Sequence, residues 1–358
     1  MSATTSVRLA RVQQIPSVFD MRTRLSMAEQ VALAFFAYIT LAASVFPLAA
    51  RDLGIIMTLN AVTLATLMAL RRNRQRAPWL AAAADLFPAL LILVAYRESG
   101  LLLTPDPAHH LDYVFIPWDR VLLQNQFVHA VLQAGAPWLQ HYLELAYLLC
   151  YPLVPLGVAA VHFARQRSAG SVGSSNRVDN VAPRPLSGHL PAGCRRYIRS
   201  VVQAFCGHHE PTVASGDRAM DAFWAAVLLA TLFCYAVYPF FPLTPPRVLF
   251  ADVPGPHVAP LLRKWNFWLL DHYSVQACLF PSGHVAAVTA VALAVRKQAP
   301  LLGALFLFLA ASVALATVYG RYHYAADAVA GALVGVAAYL ATHAIQHRFS
   351  NDRPQFGA

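Results

Sequence analysis

Charge is what this chain has least of. Asp, Glu, Lys and Arg together supply 12% of its 358 residues, against roughly 25% in an average globular domain. That shortage excludes an ordinary soluble surface over most of the length. Cysteine is scarce too: Cys150, Cys194, Cys206, Cys234 and Cys278 are odd in number and form no CxxC pair, which supports neither a disulfide framework nor a zinc site. A secretory leader pattern is also missing. The first 26 residues carry four arginines and no apolar stretch, so a cytosolic tail is expected ahead of an uncleaved first helix.

What fills the chain instead is apolar residues, 58% of the total. Length alone would suggest two soluble domains, but several apolar runs of about 20 residues override it. The fold class expected is all-α, a polytopic integral membrane helical bundle. Eight spanning helices are read near 28–49, 53–70, 78–97, 139–163, 219–239, 282–296, 300–319 and 323–346. The sixth is short for a span.

A net charge of +10 raises the question of nucleic acid, and topology answers it better. The N-terminal tail holds four Lys/Arg, the turn RRNRQRA (71–77) four, the 164–218 loop eight, the Arg296–Lys297 turn two and the C-terminal tail two. Those 20 of the 27 Lys/Arg fall on one side of the eight-span arrangement. The other side holds Arg51, Arg97, Arg120, Arg247, Arg263, Lys264 and Arg321. Basic loops face the cytoplasm, which places both termini there, in a bacterial inner (cell) membrane. No nucleic-acid partner is expected.

The organisation follows. Residues 1–163 form an N-terminal four-helix membrane region, with an amphipathic segment near 111–133 that suits the interface as an anchor or as a lid. Residues 164–218 form a basic cytosolic linker, flexible where Ser, Gly, Asn and Pro crowd 164–200. Residues 219–346 form a second four-helix domain, and 347–358 a cytosolic tail. Carboxylates inside the spans, Asp85 and Glu144, are read as paired with a polar neighbour in preference to a proton relay. Asp271 and His272 are read as interfacial loop residues.

Three polar islands reach the non-cytoplasmic end of that second domain. They are FFPLTPPRVLF (240–250), LFPSGHVAAV (279–288) and GRYHYAADAVAG (320–331). Pro281 and Ser282 are helix-start residues, and a helix start offers N–H groups and the positive dipole end to an anion such as phosphate. Gly283 lets a ligand approach the backbone, and His284 sits in that first turn. His323 and Asp327 are four apart, on one helical face. An Asp bonded to one ring nitrogen fixes the tautomer and leaves the other as nucleophile or base. Arg247 and Arg321 carry planar forks that match phosphate oxygens.

In that order PPR, PSGH and HYAAD resemble the three signature motifs of the type 2 phosphatidic acid phosphatase superfamily, over roughly 219–346. The resemblance implies phosphoryl transfer without metal or cofactor. His323 would be the nucleophile, Asp327 its orienting partner, and His284 the acid for the leaving oxygen. Arg247, Ser282 and the Gly283 amide would hold the phosphate. Two positions depart from the common pattern. Phe240 stands where a lysine precedes the first arginine, and Thr317 where an arginine precedes the third-motif histidine; Arg321 is the candidate to supply that charge. This variant resembles the branch containing inositol phosphorylceramide synthases, and sphingomyelin synthases share its HYxxD element. Those enzymes move a headgroup between lipids.

The function expected is a membrane lipid phosphatase or phosphotransferase, its partner a bilayer lipid carrying phosphate. Water and a lipid hydroxyl are both compatible acceptors, so headgroup transfer of an inositolphosphate type without net hydrolysis stands beside hydrolysis. A transporter is the alternative from another class. Transporter sites lie near the midplane, at broken helices and often within internal repeats, whereas these islands sit at one edge and no repeat is evident.

Overall fold

A computed structural model describes residues 25–103, 110–123, 137–178, 213–251, 260–275 and 277–351. The N-terminal part begins with α1 (Met27–Val45), α2 (Ala50–Asn73) and α3 (Pro78–Leu101). Helix α1 opens on a capping box, with the Ser26 hydroxyl accepting from Glu29 N–H and the Glu29 carboxylate from Ser26 N–H. Such reciprocal caps satisfy two otherwise orphaned donors. Asp221, far along the chain, accepts from the Met27 and Ala28 amides at 3.1 and 2.9 Å. Pro78 opens α3 at its first position, where its missing N–H costs nothing.

Helix α4 (Asp112–Leu123) covers the first part of the expected amphipathic segment; residues 124–133 lie outside the described residues. Helices α5 (Pro137–Leu148) and α6 (Cys150–Val178) meet at a break bent by 61°. One straight span was expected there. Helix α6 also runs on to Val178, through a stretch whose Ser, Gly and Asn content suggests linker from 164. Residues 179–212 lie outside the described residues, as do the N-terminal tail to residue 24 and residues 352–358.

The C-terminal part contains α7 (Val213–Val237), β1 (Pro242–Leu243), the single-turn α8 (Pro246–Leu249) and α9 (Pro260–Tyr273). Then follow β2 (Cys278–Leu279), α10 (Gly283–Gln298), α11 (Pro300–Tyr319) and α12 (Ala325–Asn351). The protein is thus a helical bundle with one two-residue antiparallel ladder among the described residues.

Among the described residues, six helices are long and apolar enough to cross a membrane, or seven when the bent α5–α6 pair is counted as one span. Eight were expected. The missing one is α10, whose 16 residues span about 24 Å at 1.5 Å per residue, short of a hydrocarbon core of roughly 30 Å. Its surroundings explain the length. Helices α6, α7, α11 and α12 wall it in, and nearly every residue from Val285 to Val295 is buried. Helix α12 comes close because Gly331 and Gly335 face α10: a Cβ at Gly331 would collide with the Ser282 carbonyl, and one at Gly335 would lie 2.7 Å from the Ala286 carbonyl. Small residues four apart permit such backbone approach between membrane helices.

One hydrophobic core joins the two parts. Phe35, Phe36 and Ile39 of α1 lie in the same cluster as Phe223 and Leu228 of α7 and Val291 of α10. At the end of the bundle away from the polar islands, Arg71 pairs with Glu29 at 2.6 Å and Arg74 with Asp85 at 2.7 Å. Asp85 is therefore a paired carboxylate, as its place in the sequence suggested. At the opposite, island-bearing end, Tyr113 and Trp118 of α4 and Trp265, Trp268 and Tyr273 of α9 stand exposed, as aromatic residues do where a bilayer meets water.

Candidate active site

The three islands lie far apart in sequence, and short-range geometry joins each to the next. The ladder pairs Pro242 with Leu279 and Leu243 with Cys278, laying the first island beside the approach to the second. The Arg247 amide donates to the Arg321 carbonyl at 3.0 Å, fastening the first island to the third. The Ser282 amide donates to the Asp327 carbonyl at 3.1 Å, fastening the second to the third. Backbone bonds of this kind fix where each side chain leaves the main chain.

On that frame His323 and Asp327 meet, although His323 stands in the turn before α12 and not on the shared helical face that their spacing suggests. Imidazole Nδ1 lies 3.3 Å from Asp327 Oδ2. Asp327 is fully buried and also accepts from the Tyr324 amide at 3.1 Å, so two groups orient its carboxylate. With Nδ1–H donating to Asp327, the lone pair of the ring sits on Nε2. The ring centroid of His284 lies 6.0 Å from that of His323. Two tyrosines flank His284: Tyr151 edge-on at 5.7 Å and Tyr147 tilted at 6.1 Å. They stand on either side of the α5–α6 break, so the bend wraps that segment around the histidine.

Arg247 and Arg321 are carried by the paired islands. Arg321 has φ 60°, a left-handed conformation that costs a non-glycine residue about 1–3 kcal/mol and is held only where surroundings over-determine it. Its Nη1 reaches the Phe250 carbonyl at 3.4 Å. Burial lowers the pKa of its guanidinium, and the nearby Arg263 charge adds to that shift. The two positions where the common motif carries cations hold structural groups: Phe240 is exposed, and the Thr317 carbonyl accepts from the Tyr322 and His323 amides.

The second island differs from expectation. Ser282 does cap α10, its hydroxyl accepting from Val285 N–H at 3.4 Å, and it is completely buried. The Gly283 amide, expected to face phosphate, donates to the Tyr238 hydroxyl at 3.0 Å. Helical periodicity cannot reveal a partner 45 residues upstream, and so the tyrosine was missed.

Two aspartates of α4 were missed as well. Asp112 Oδ1 accepts from the Thr244 amide at 2.9 Å and from the Tyr324 hydroxyl at 3.0 Å. Asp119 Oδ1 accepts from the Ala326 amide at 3.1 Å, at the first turn of α12. Burial pushes the Asp119 carboxyl above the ordinary range, the Ala325 and Ala326 amides pull it back, and the Asp327 charge pushes it up again. The signal was available: the two acids are seven apart, on one face of an amphipathic helix. Asp271 and His272 lie on the exposed face of α9, away from these contacts.

Residues 212–341 match the family model of the PAP2 superfamily. No curated protein and no solved structure matches the chain. The match covers all three islands and supports the superfamily, and with the apolar helices it supports a phosphatase-type function in a membrane.

Proposed function

We propose that the protein transfers a phosphoryl or phospho-headgroup from a membrane lipid through a phosphohistidine on His323. The observation that carries this reading is the meeting of His284, on the second island, with His323 and Asp327, on the third, the two imidazole centroids 6.0 Å apart and the islands tied by the Ser282–Asp327 backbone bond. Nε2 of His323 attacks phosphorus, and the bond to the leaving alcohol oxygen breaks. Burial and the neighbouring His323 lower the pKa of His284, so His284 takes up its proton together with the anionic phosphate and gives it to that oxygen. An acceptor hydroxyl then attacks the phosphohistidine while His284 takes the acceptor's proton, which restores both residues. Asp327 holds Nδ1–H throughout and stabilises the charge that the ring gains.

Charge in such a transfer spreads over the non-bridging oxygens, and fixed cations aimed at it are the main source of rate. Arg247 and Arg321 are the candidates, with Ser282 at the positive end of α10. The Gly283 amide joins only where phosphate displaces the Tyr238 hydroxyl. Positive-inside counting supports a site on the non-cytoplasmic face, with both termini cytoplasmic.

The finer reading is a headgroup transferase, of the inositolphosphate type that the motif variant resembles. The displaced arginine favours it: Arg321 sits within the turn before His323, and Phe240 and Thr317 leave the common cation positions empty of charge. The experiment is a panel of lipids with labelled headgroup phosphate, given to purified protein with and without a diacylglycerol or ceramide acceptor. Phosphate release in the absence of acceptor indicates hydrolysis, and a labelled second lipid indicates transfer. A panel with neither product overturns the proposal. The transporter reading gains nothing from the break in α5–α6, because the tyrosines on either side of that break sit against His284.

A further inference from the structure

We propose that Glu144, outside the matched region, is a positioning residue for this chemistry, holding the turn that presents Arg321 and His323. The inference deepens the functional reading above and rests on it. Glu144 lies on α5 with its side chain 1% exposed. A carboxylate taken that far out of water costs several kcal/mol unless good partners surround it. Three donors do. Oε1 accepts from Arg263 Nη1 at 2.6 Å, and Oε2 accepts from Asn266 Nδ2 at 2.8 Å and from the Tyr322 hydroxyl at 2.5 Å.

Two of those donors lead to the turn between α11 and α12. Tyr322 is part of it, between Arg321 and His323. Arg263 reaches it through Nη2, 3.4 Å from the Gly320 carbonyl. One carboxylate thereby grips the turn at Gly320 and at Tyr322, on both sides of the left-handed Arg321. The Tyr322 ring is seated as well, stacked on Tyr147 at 4.0 Å and 22°. It folds back over Gly320, where a Cβ would collide with the ring. Burial and the Glu144 charge raise the pKa of the Tyr322 phenol, so it remains the donor in this bond.

The Glu144 carboxylate is held by Arg263, Asn266 and Tyr322 and acts through them, and a buried ion pair adds little to stability compared with apolar packing. Its consequence is geometric. With Tyr322 anchored inward, its neighbours His323 and Arg321 are fixed by the same short backbone. A displacement of about 1 Å at a reacting group costs on the order of 10²-fold in rate. This assigns α5 a part in catalysis that no motif in the N-terminal half announces.

The test compares wild type, Tyr322→Phe, Glu144→Gln and the double variant in detergent. Phosphatidic acid and phosphatidylinositol with labelled phosphate are the probes, and melting curves report the folded fraction. Tyr322→Phe removes one hydroxyl and keeps the ring stack, so it covers the case in which Glu144→Gln fails to fold. Expected is a kcat reduced about 10–100-fold per folded protein, KM within about twofold, slower labelling of His323, and a double variant no worse than the poorer single one. Wild-type kcat in Tyr322→Phe, or a loss confined to KM, overturns the proposal while leaving the function intact. A wild type that turns over no lipid phosphate and labels no histidine overturns the function, and the positioning role with it.

Discussion

At the scale of the residue, the chemistry needs a pair and a partner. His323→Ala removes the nucleophile and should abolish turnover while insertion and melting stay as in wild type. His284→Ala removes general acid help, worth about 10²–10⁴-fold, and should let label build up on His323 where the leaving group is good, because the base for the acceptor is lost as well. Asp327→Asn lets the wrong tautomer form and should lower kcat by a similar factor; steady-state rates in the same membranes check all three. Normal rates from both histidine variants would remove the assignment. The sequence suggested the pair through a helical spacing, whereas His323 stands in the turn before α12 and meets Asp327 from outside the helix. It did not show that the Gly283 amide is taken by Tyr238, since periodicity reports a face and never a partner across the bundle. Glu144 could be read only as a carboxylate in need of a neighbour; Arg263 and Tyr322, 119 and 178 residues away, are known from packing alone.

At the scale of the element, α4 and α12 should behave as one unit. Asp119 covers the first amides of α12, and losing a helix cap costs about 1 kcal/mol. Asp119→Ala should therefore lower the melting temperature at neutral pH, whereas Asp119→Asn keeps an acceptor and should not. The charge adds a pH dependence. A carboxyl raised in the folded state binds more protons there than in the unfolded chain. Stability is then greatest below the ordinary Asp range of about 4 and falls as pH rises through the raised value. Melting curves across that window should slope downward in wild type and flatten in Asp119→Asn; identical slopes would contradict the placement. Helix α11 was readable to the residue from its apolar run and opening Pro300. Helix α10 was readable as a helix but not as a central, enclosed one, because a run rich in Ala and Val looks the same against lipid as against other helices. The α5–α6 break gave no apolar signal at all.

At the scale of the whole molecule, the two halves are not separable. The polar stretch after 164 suggests a division, yet the core takes Phe36 from one side and Phe223 from the other. Asp112, Asp119, Glu144 and Tyr147 all reach the C-terminal islands from the N-terminal half. Residues 213–358 produced alone should therefore give no lipid turnover, and co-production with residues 1–178 should restore it. Activity of the C-terminal piece by itself, measured in membranes, would show that the N-terminal helices only pack. The central claim, covalent transfer through His323, has a more direct test. Purified protein is incubated briefly with lipid carrying labelled headgroup phosphate, quenched in alkali and digested. Expected is acid-labile, alkali-stable label on the peptide containing His323, absent from His323→Ala and increased in His284→Ala with a good leaving group. Turnover of the same lipid with no label on that peptide, or with label retained in His323→Ala, would contradict it.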